Sequence, residues 1–326
     1  MKKAVILMNM GGASNLDEIE VFMRNMFNDH RIIGAPPFIR GPLAEWITRT
    51  RLEGVKENYR KLGGGSPLLR ISRRVQEKLQ ARLEDTRVEL VMRYTPPFAE
   101  EVLRRLKEEG VERLHLLPMY PQFSTTTTAS SIEDIRAAAA RLGYRPLVTS
   151  TLWYYEDPSY LATVEEQIVE TLGDVDPKSV TMVFSAHGLP KRVIKRGDPY
   201  QKQVEAEVAL HTERLKRRGI EFAQVHLAYQ SRVGPLAWLT PSLEKMLEEV
   251  KNRRVLIYPI SFTVDNSETL FELDIEYRHV AEKLGFGYYE VCRCPNDSER
   301  FVEVLERLYR SGAGEGGQPA ARRDSA

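Results

Sequence analysis

The feature that most constrains this chain is the regular exchange of two hydrophobic periods. Short, nearly continuous apolar runs alternate with longer stretches in which apolar residues recur every three or four positions. A continuous run of strand length suits a strand covered on both faces, and the intervening period is that of an amphipathic helix. Parallel strands need crossovers, and helices supply them. The pattern predicts an α/β protein built on parallel sheets flanked by helices. Strands are expected at 4–10, 88–94, 114–120, 147–153, 180–187, 224–229, 254–262 and 288–292. Helices are expected at 15–28, 72–82, 99–109, 130–142, 158–171, 200–217, 241–252, 267–284 and 298–309.

At roughly 100–200 residues per domain, 326 residues suggest two lobes. The division is placed near residue 150, with lobes at 1–150 and 151–295 and a last helix at 296–311. The segment 312–326, rich in Gly, Ala and charge, is expected to be disordered. Lys and Arg (47) nearly cancel Asp and Glu (46), so no basic field exists to hold nucleic acid. No apolar run approaches the ~18 residues of a membrane span. The first run meets Asn9, Gly11 and Gly12 with no cleavage pattern, and reads as a buried strand rather than a signal segment. Two cysteines, Cys292 and Cys294, imply a reducing, cytoplasmic compartment. They are too few for an iron–sulfur cluster held by thiolates alone.

The strands end in residues suited to a ligand: Asn9-Met10, Arg93-Tyr94, Met119-Tyr120, Ser185-Ala186-His187, Tyr229-Gln230-Ser231 and Ser261-Phe262. Open α/β sheets bind ligands beyond the carboxyl ends of their strands, so these groups belong to one rim. Gly11-Gly12 lacks dinucleotide spacing and Gly63-Gly64-Gly65-Ser66 lacks the Lys of a phosphate loop; both read as turns. His187 closes its strand before Gly188 and Pro190, either as a functional imidazole or as a hydrogen-bonded structural one. Ser185 has no G-x-S-x-G around it, which excludes that hydrolase class. Glu268, Glu272 and Glu276 lie four apart and would form an acidic stripe on a helix, suited to a hard divalent cation. The other reading makes Asp265 the N-cap, Glu268 its reciprocal partner and the rest a solvated face. The hydroxyl-rich loop 118–131, including Ser124, can hold carboxylates or other anions. Trp238 is either core or the wall of an aromatic pocket. The apolar, proline-broken segment 32–47 reads as a packed loop or as an exposed lip touching a bilayer, with Arg49 and Arg51 at its edge able to pair with a ligand's carboxylates.

Taken together, eight segments resemble the ferrochelatase family, in family order and over nearly the whole chain. They are Asn9-Met10-Gly11-Gly12; residues 59–68; Arg93-Tyr94; residues 120–124; Ser185-Ala186-His187-Gly188-Leu189-Pro190; residues 196–200; residues 230–235; and residues 268–277. The resemblance implies a chelatase fold: two similar Rossmann-like lobes, each a parallel sheet of about four strands, with a cleft between them and the last helix returning to the first lobe. It implies that His187 and Glu268 are the catalytic pair in contact with metal, and that Asp265, Glu272 and Glu276 form an acidic relay. It places Met10, Arg51, Arg93, Tyr94, Tyr120, Ser124 and Trp238 at the porphyrin. Many members carry His where this chain has Asn266; an amide is a poorer ligand and moves no protons, which shifts weight onto His187 and Glu268.

The implied reaction inserts Fe²⁺ into a porphyrin while two inner N–H protons leave. Fe²⁺ is a substrate, and no permanent cofactor is expected. A monomer, with peripheral contact at the inner face of the membrane, is the expected state. Met10 and the apolar lip favour protoporphyrin IX. Coproporphyrin III is the alternative, since that branch usually has Tyr at this position. A cobalt chelatase of cobalamin synthesis shares the fold but usually lacks most of these motifs. A non-catalytic tetrapyrrole carrier is the remaining alternative, and Asn266 is the one feature pointing to it.

Overall fold

The computed structural model describes residues 1–312 other than 233 and 235. Val233 and Pro235, within one of the resembling segments, and all of the expected disordered tail beyond Gly312 lie outside the described residues. The chain divides into two compact units, Met1–Trp153 with Asp297 onward, and Tyr154–Asn296. The break thus falls three residues beyond the position expected from sequence.

Unit 1 runs β1 (Lys2–Asn9), α1 (Glu18–Phe27), α2 (Pro37–Lys61), α3 (Leu68–Arg82), β2 (Thr86–Met92), α4 (Ala99–Glu108), β3 (Val111–Pro118), α5 (Thr128–Arg141) and β4 (Leu147–Ser150). Unit 2 runs α6 (Pro158–Leu172), β5 (Thr181–His187), α7 (Lys191–Lys195), α8 (Tyr200–Arg217), β6 (Gln224–Gln230), α9 (Leu243–Glu249), β7 (Arg254–Tyr258), a π-helix (Glu268–Glu276), α10 (Tyr277–Lys283) and β8 (Tyr288–Val291). The chain then returns to unit 1 as α11 (Glu299–Gly312).

Both sheets are four-stranded and parallel, in the orders β2-β1-β3-β4 and β6-β5-β7-β8. These orders are the same when each unit's strands are counted from its own first. In each, the chain reverses its direction of winding beside the first strand, and such switch points open a crevice beyond the strand ends. In unit 1 that point is where β1 delivers Met10; in unit 2 it is where β5 delivers His187. The strand residues Val5 to Met8 and Met182 to Ala186 are fully buried, as runs covered on both faces require. The core of unit 1 gathers Ile6, Met8, Val102, Leu106, Leu114 and Leu116, and that of unit 2 gathers Val183, Leu247, Val255, Ile257 and Leu273.

Three expectations need correction. The segment 32–47 is not a loop from Pro37 on, because it forms the start of the 25-residue α2. Pro37 occupies the first helical position, where a missing N–H costs nothing. Pro42 leaves the carbonyl of Phe38 without its helical donor, but Phe38 is 77% exposed and water can serve it. The segment 267–284 is not one α-helix, since its first part is π-helical. The short α7 was not anticipated at all.

The last helix is held by both chemistry and packing. Its buried face presents Phe301, Val302, Leu305, Leu308 and Tyr309, and it packs on α3 and β3. Arg74 grips Asp297 at its entry through two bonds of 2.9 and 2.8 Å. Near its end, Gly312 lies against the ring of His115, which is fixed by Thr149 at 2.8 Å and Thr151 at 3.0 Å. Burial lowers the His115 pKa to about 4, so the ring is neutral.

Candidate active site

His187 is the last residue of β5, the point at which a fully buried strand first becomes accessible. Its backbone is tied on both sides: its N–H donates to Ser261 Oγ at 3.0 Å, and its carbonyl accepts from Tyr200 Oη at 3.0 Å. Gly188 follows because a Cβ there would meet the carbonyl oxygen of Gln230 at 2.7 Å. The strand end is thus fixed while the imidazole, 37% exposed, stays reachable.

Glu268 opens the π-helix, and its Oε2 lies 2.7 Å from His187 Nδ1. Ser231, just past β6, has φ of 65°, which turns both its N–H and its hydroxyl toward the acidic side chains. The N–H donates to Glu272 Oε1 at 2.7 Å. The hydroxyl is 3.0 Å from Glu268 Oε2 and 2.5 Å from Glu272 Oε2, and it has one proton for the two carboxylates. Gln230 Nε2 adds a longer bond to Glu272 at 3.3 Å. The wide turn of a π-helix, in which each N–H reaches the fifth residue back, makes a spacing of four fall slightly short of a full turn. Glu268 and Glu272 therefore meet at Ser231. Glu276 is exposed, and its side chain makes no hydrogen bond or ion pair among the described residues.

The charges follow from this packing. Burial opposes a charged imidazole, but the Glu268 carboxylate outweighs it and raises the His187 pKa above its ordinary value. Burial would likewise raise Glu268, but the His187 charge and the hydrogen bonds from His187 and Ser231 hold it low. Glu272 bears the consequence: burial, then the neighbouring Glu268 charge, push its pKa up to about 7. The site thus combines an ionised pair with a carboxyl poised to exchange a proton near neutrality. Such a set can attract a divalent cation and take up or release protons as the cation's charge arrives. Among the described residues, no three His, Cys, Asp or Glu side chains form a ready-made metal cage.

Asp265 does not cap the helix. Its carboxylate accepts from Thr269 Oγ1 at 3.0 Å, Asn296 Nδ2 at 2.8 Å and the N–H of Cys294 at 3.3 Å, bracketing the segment after β8. Cys292 and Cys294 are both free and buried, and burial raises the Cys292 thiol to about 12. Trp238 is half-buried, bridged to Pro190, and lines with Gly188 and Gln230 a groove of about 590 Å³ in unit 2.

In unit 1, Met10 is half-buried at the end of β1. Arg93 and Tyr94 converge on Asp29, whose side chain is wholly buried. Tyr94 Oη donates to it at 2.8 Å, Ser130 Oγ donates to it as well, and Arg93 Nη2 lies 3.2 Å away. Arg93 Nε also donates to Ser130 at 2.9 Å, and its Nη1 is 3.6 Å from Asp134. Burial works against the Asp29 charge, but these donors keep its pKa low. Tyr94, Tyr120 and Ser124 are all buried, whereas Arg51 is exposed on α2. Reasoning from sequence missed Asp29 and Ser130 as partners of Arg93, and named Ser231 only as a strand-end residue. Ser231 had one available signal, its place directly after a strand aimed at the same rim as His187.

Comparison with known proteins agrees with this architecture. The family model described as Ferrochelatase matches residues 2–313. A ferrochelatase of Sulfurimonas denitrificans is 46% identical over 310 residues, covering 94% of this chain and 98% of that protein. One of Wolinella succinogenes is 46% identical over 313 residues, covering 96% and 99%. Among solved structures, SirB from Bacillus subtilis with Fe³⁺ aligns with a TM-score of 0.56 at 12% identity, over 95% of both chains. CbiX, described as the terminal enzyme for biosynthesis of siroheme in denitrifying bacteria, aligns with a TM-score of 0.53 at 8% identity, over 95% and 99%. At such identities these structures speak for the fold alone, a chelatase fold. With the family match spanning nearly the whole sequence, the chain belongs to the ferrochelatase family, and is an enzyme of the lyase class.

Proposed function

We propose that the chain inserts Fe²⁺ into protoporphyrin IX to form protoheme, releasing two protons, as the last step of heme formation. The observation that carries this reading is the grouping of His187, Glu268 and Glu272 around Ser231 at the switch point of one sheet. Fe²⁺ enters as a substrate, and Glu268 offers it an oxygen in place of water. As the cation draws on the Glu268 charge, the His187 imidazolium loses the partner that raised its pKa and gives up a proton. That Nε2 proton leaves to water at the ring's exposed face, while Glu272, near neutrality, can take up or release a proton as the charge beside it changes. Neutral His187, with Nδ1–H still facing Glu268, then presents Nε2 as the base for the two porphyrin N–H protons in turn, passing each to water at its exposed face.

Met10 at the switch point of the unit 1 sheet supports a substrate with fewer carboxylates, and Trp238 supports an aromatic wall. Arg93, Tyr94, Tyr120 and Ser124 shape the unit 1 side of the reading. A cytoplasmic location with peripheral membrane contact belongs to the same proposal. Exposed Phe38 (77%) and Trp46 (63%) on α2 support that contact, and among the described residues no helix is long and apolar enough to cross a membrane. Anaerobic Fe²⁺ insertion with protoporphyrin IX and coproporphyrin III in parallel tests the proposal. Faster turnover of protoporphyrin IX is expected. Preference for coproporphyrin III would overturn the choice of substrate, and no turnover of either would overturn the reaction.

A further inference from the structure

Asn266 occupies the position where many members of the family carry histidine, and its surroundings give the amide a definite task. Ser267 already has helical angles, φ −61° and ψ −29°, so Asn266 stands directly before the first helical residue. Its carbonyl accepts from the N–H of Leu270 at 3.0 Å, as an N-cap carbonyl does. Its Oδ1 accepts from the N–H of Glu268 at 2.8 Å. Its own N–H donates to Thr269 Oγ1 at 3.0 Å, which closes a reciprocal capping box one residue later in the chain than Asp265 would have placed it. Nδ2 donates to the carbonyl of Val264 at 3.1 Å, and the residue is only 8% exposed.

We infer that Asn266 is a positioning residue for the catalytic pair: by capping the turn that bears Glu268, it fixes that carboxylate on His187 Nδ1. The first N–H groups of any helix lack internal partners, and an uncapped turn frays. Here the frayed residue would be Glu268 itself, whose bond to His187 is 2.7 Å long. The backbone and side chain of Glu268 are thus held from opposite ends, by Asn266 at the N–H and by His187 and Ser231 at the carboxylate. The amide does by hydrogen bonding alone what needs no proton transfer, so its inability to act as a base is no defect at this place. The inference rests on the proposed iron insertion, and its test separates the two.

The experiment compares Asn266→Leu and Asn266→Asp with the unaltered protein in anaerobic Fe²⁺ insertion into protoporphyrin IX. Leu matches the shape and removes the acceptor. Asp retains an acceptor for the Glu268 N–H, and the two residues rank alike as caps. For Leu, kcat is expected to fall about 10- to 100-fold with the porphyrin KM within about twofold, as for a misplaced catalytic group. Asp is expected to recover kcat to within about threefold of the unaltered protein. Should the Leu variant not fold, Asn266→Ala removes the same acceptor with less bulk and takes its place. Unchanged kcat in the Leu or Ala variant would overturn the inference, as would an Asp variant no better than Leu, or a loss confined to KM. Absence of turnover in the unaltered protein would instead overturn the functional reading itself, and the positioning role with it.

Discussion

Replacing Glu272 with Gln should make the protein more stable at alkaline than at acid pH relative to its parent, because the structure keeps this carboxyl protonated to an unusual degree. Its folded pKa is about 7 against an ordinary 4.5. A folded value raised above the unfolded one means that the folded chain binds the proton more tightly. Its contribution to stability is therefore fully present below pH 4.5 and is lost as pH rises through 7. Integrating proton binding for these two values gives a loss of about 2.5 kcal/mol between pH 5 and pH 8. Gln cannot ionise, so the variant escapes this loss while still accepting from Ser231 through its amide oxygen. Shared changes at other titrating groups largely cancel when variant and parent are compared at each pH. Urea unfolding at pH 5 and pH 8, followed by far-ultraviolet circular dichroism, measures the difference. The gap between variant and parent should widen by about 2–3 kcal/mol in favour of Gln at pH 8. A gap that changes by less than about 0.5 kcal/mol, the usual scatter of such comparisons, would refute the reasoning.

Other outcomes follow from the same structure. His187→Ala should lower iron insertion at least about 100-fold while leaving porphyrin binding, read by absorbance titration, intact; full activity would remove His187 from the role of base. Asp29→Ala should destabilise unit 1 by about 3–5 kcal/mol in urea, because Arg93 and the Tyr94 hydroxyl lose a shared buried acceptor; a change below about 1 kcal/mol would show that water replaces it. His115 has a folded pKa of about 4 against an ordinary 6.5. Its stabilising effect is present above 6.5 and lost as pH falls through 4, by about 3 kcal/mol. A His115→Asn variant should accordingly lose less stability than its parent between pH 7 and pH 4 in thermal unfolding, and an equal loss would count against a neutral, buried ring.

Much of the fold could be read directly because burial on both faces leaves a plain mark. The mark is plainest in the central strands, Ala-Val-Ile-Leu-Met in β1, Met-Val-Phe in β5 and Val-Leu-Ile-Tyr in β7, whereas β2, β3 and β6 interleave polar residues and the edge strand β4 is partly exposed. α2 was hidden for the opposite reason: Pro36, Pro37 and Pro42 read as breaks, Phe38 and Trp46 stay exposed, and its buried line, Ala44, Thr48 and Tyr59 with half-buried Leu52 and Val55, includes small and polar residues that give a weak apolar signal. The π-helix could not be told from an α-helix, since a four-residue spacing of glutamates suits both. What distinguishes them is which side chains meet, and that is set by Ser231 and Asn266 from outside the repeat. His187 was visible as a strand-terminal residue, but its electrostatic state was not, because it depends on Glu268, 81 residues further along the chain. Asp265 was legible as a polar residue before a helix, and the true cap lay one position later.

The return of α11 to the first sheet bears on the order in which the molecule can be made. Unit 2 is a continuous stretch, Tyr154–Asn296, set into a unit 1 whose own parts lie on either side of it. During synthesis all of unit 2 leaves the ribosome before Phe301, Leu305 and Leu308 are available to cover α3 and β3. The inserted unit, which carries His187 and Glu268, can therefore fold while the unit that encloses it in sequence still lacks a wall. Until Asp297 reaches Arg74, unit 1 carries an apolar strip open to other nascent chains. A helix that follows the whole inserted unit in sequence thus sets the moment at which this strip is covered.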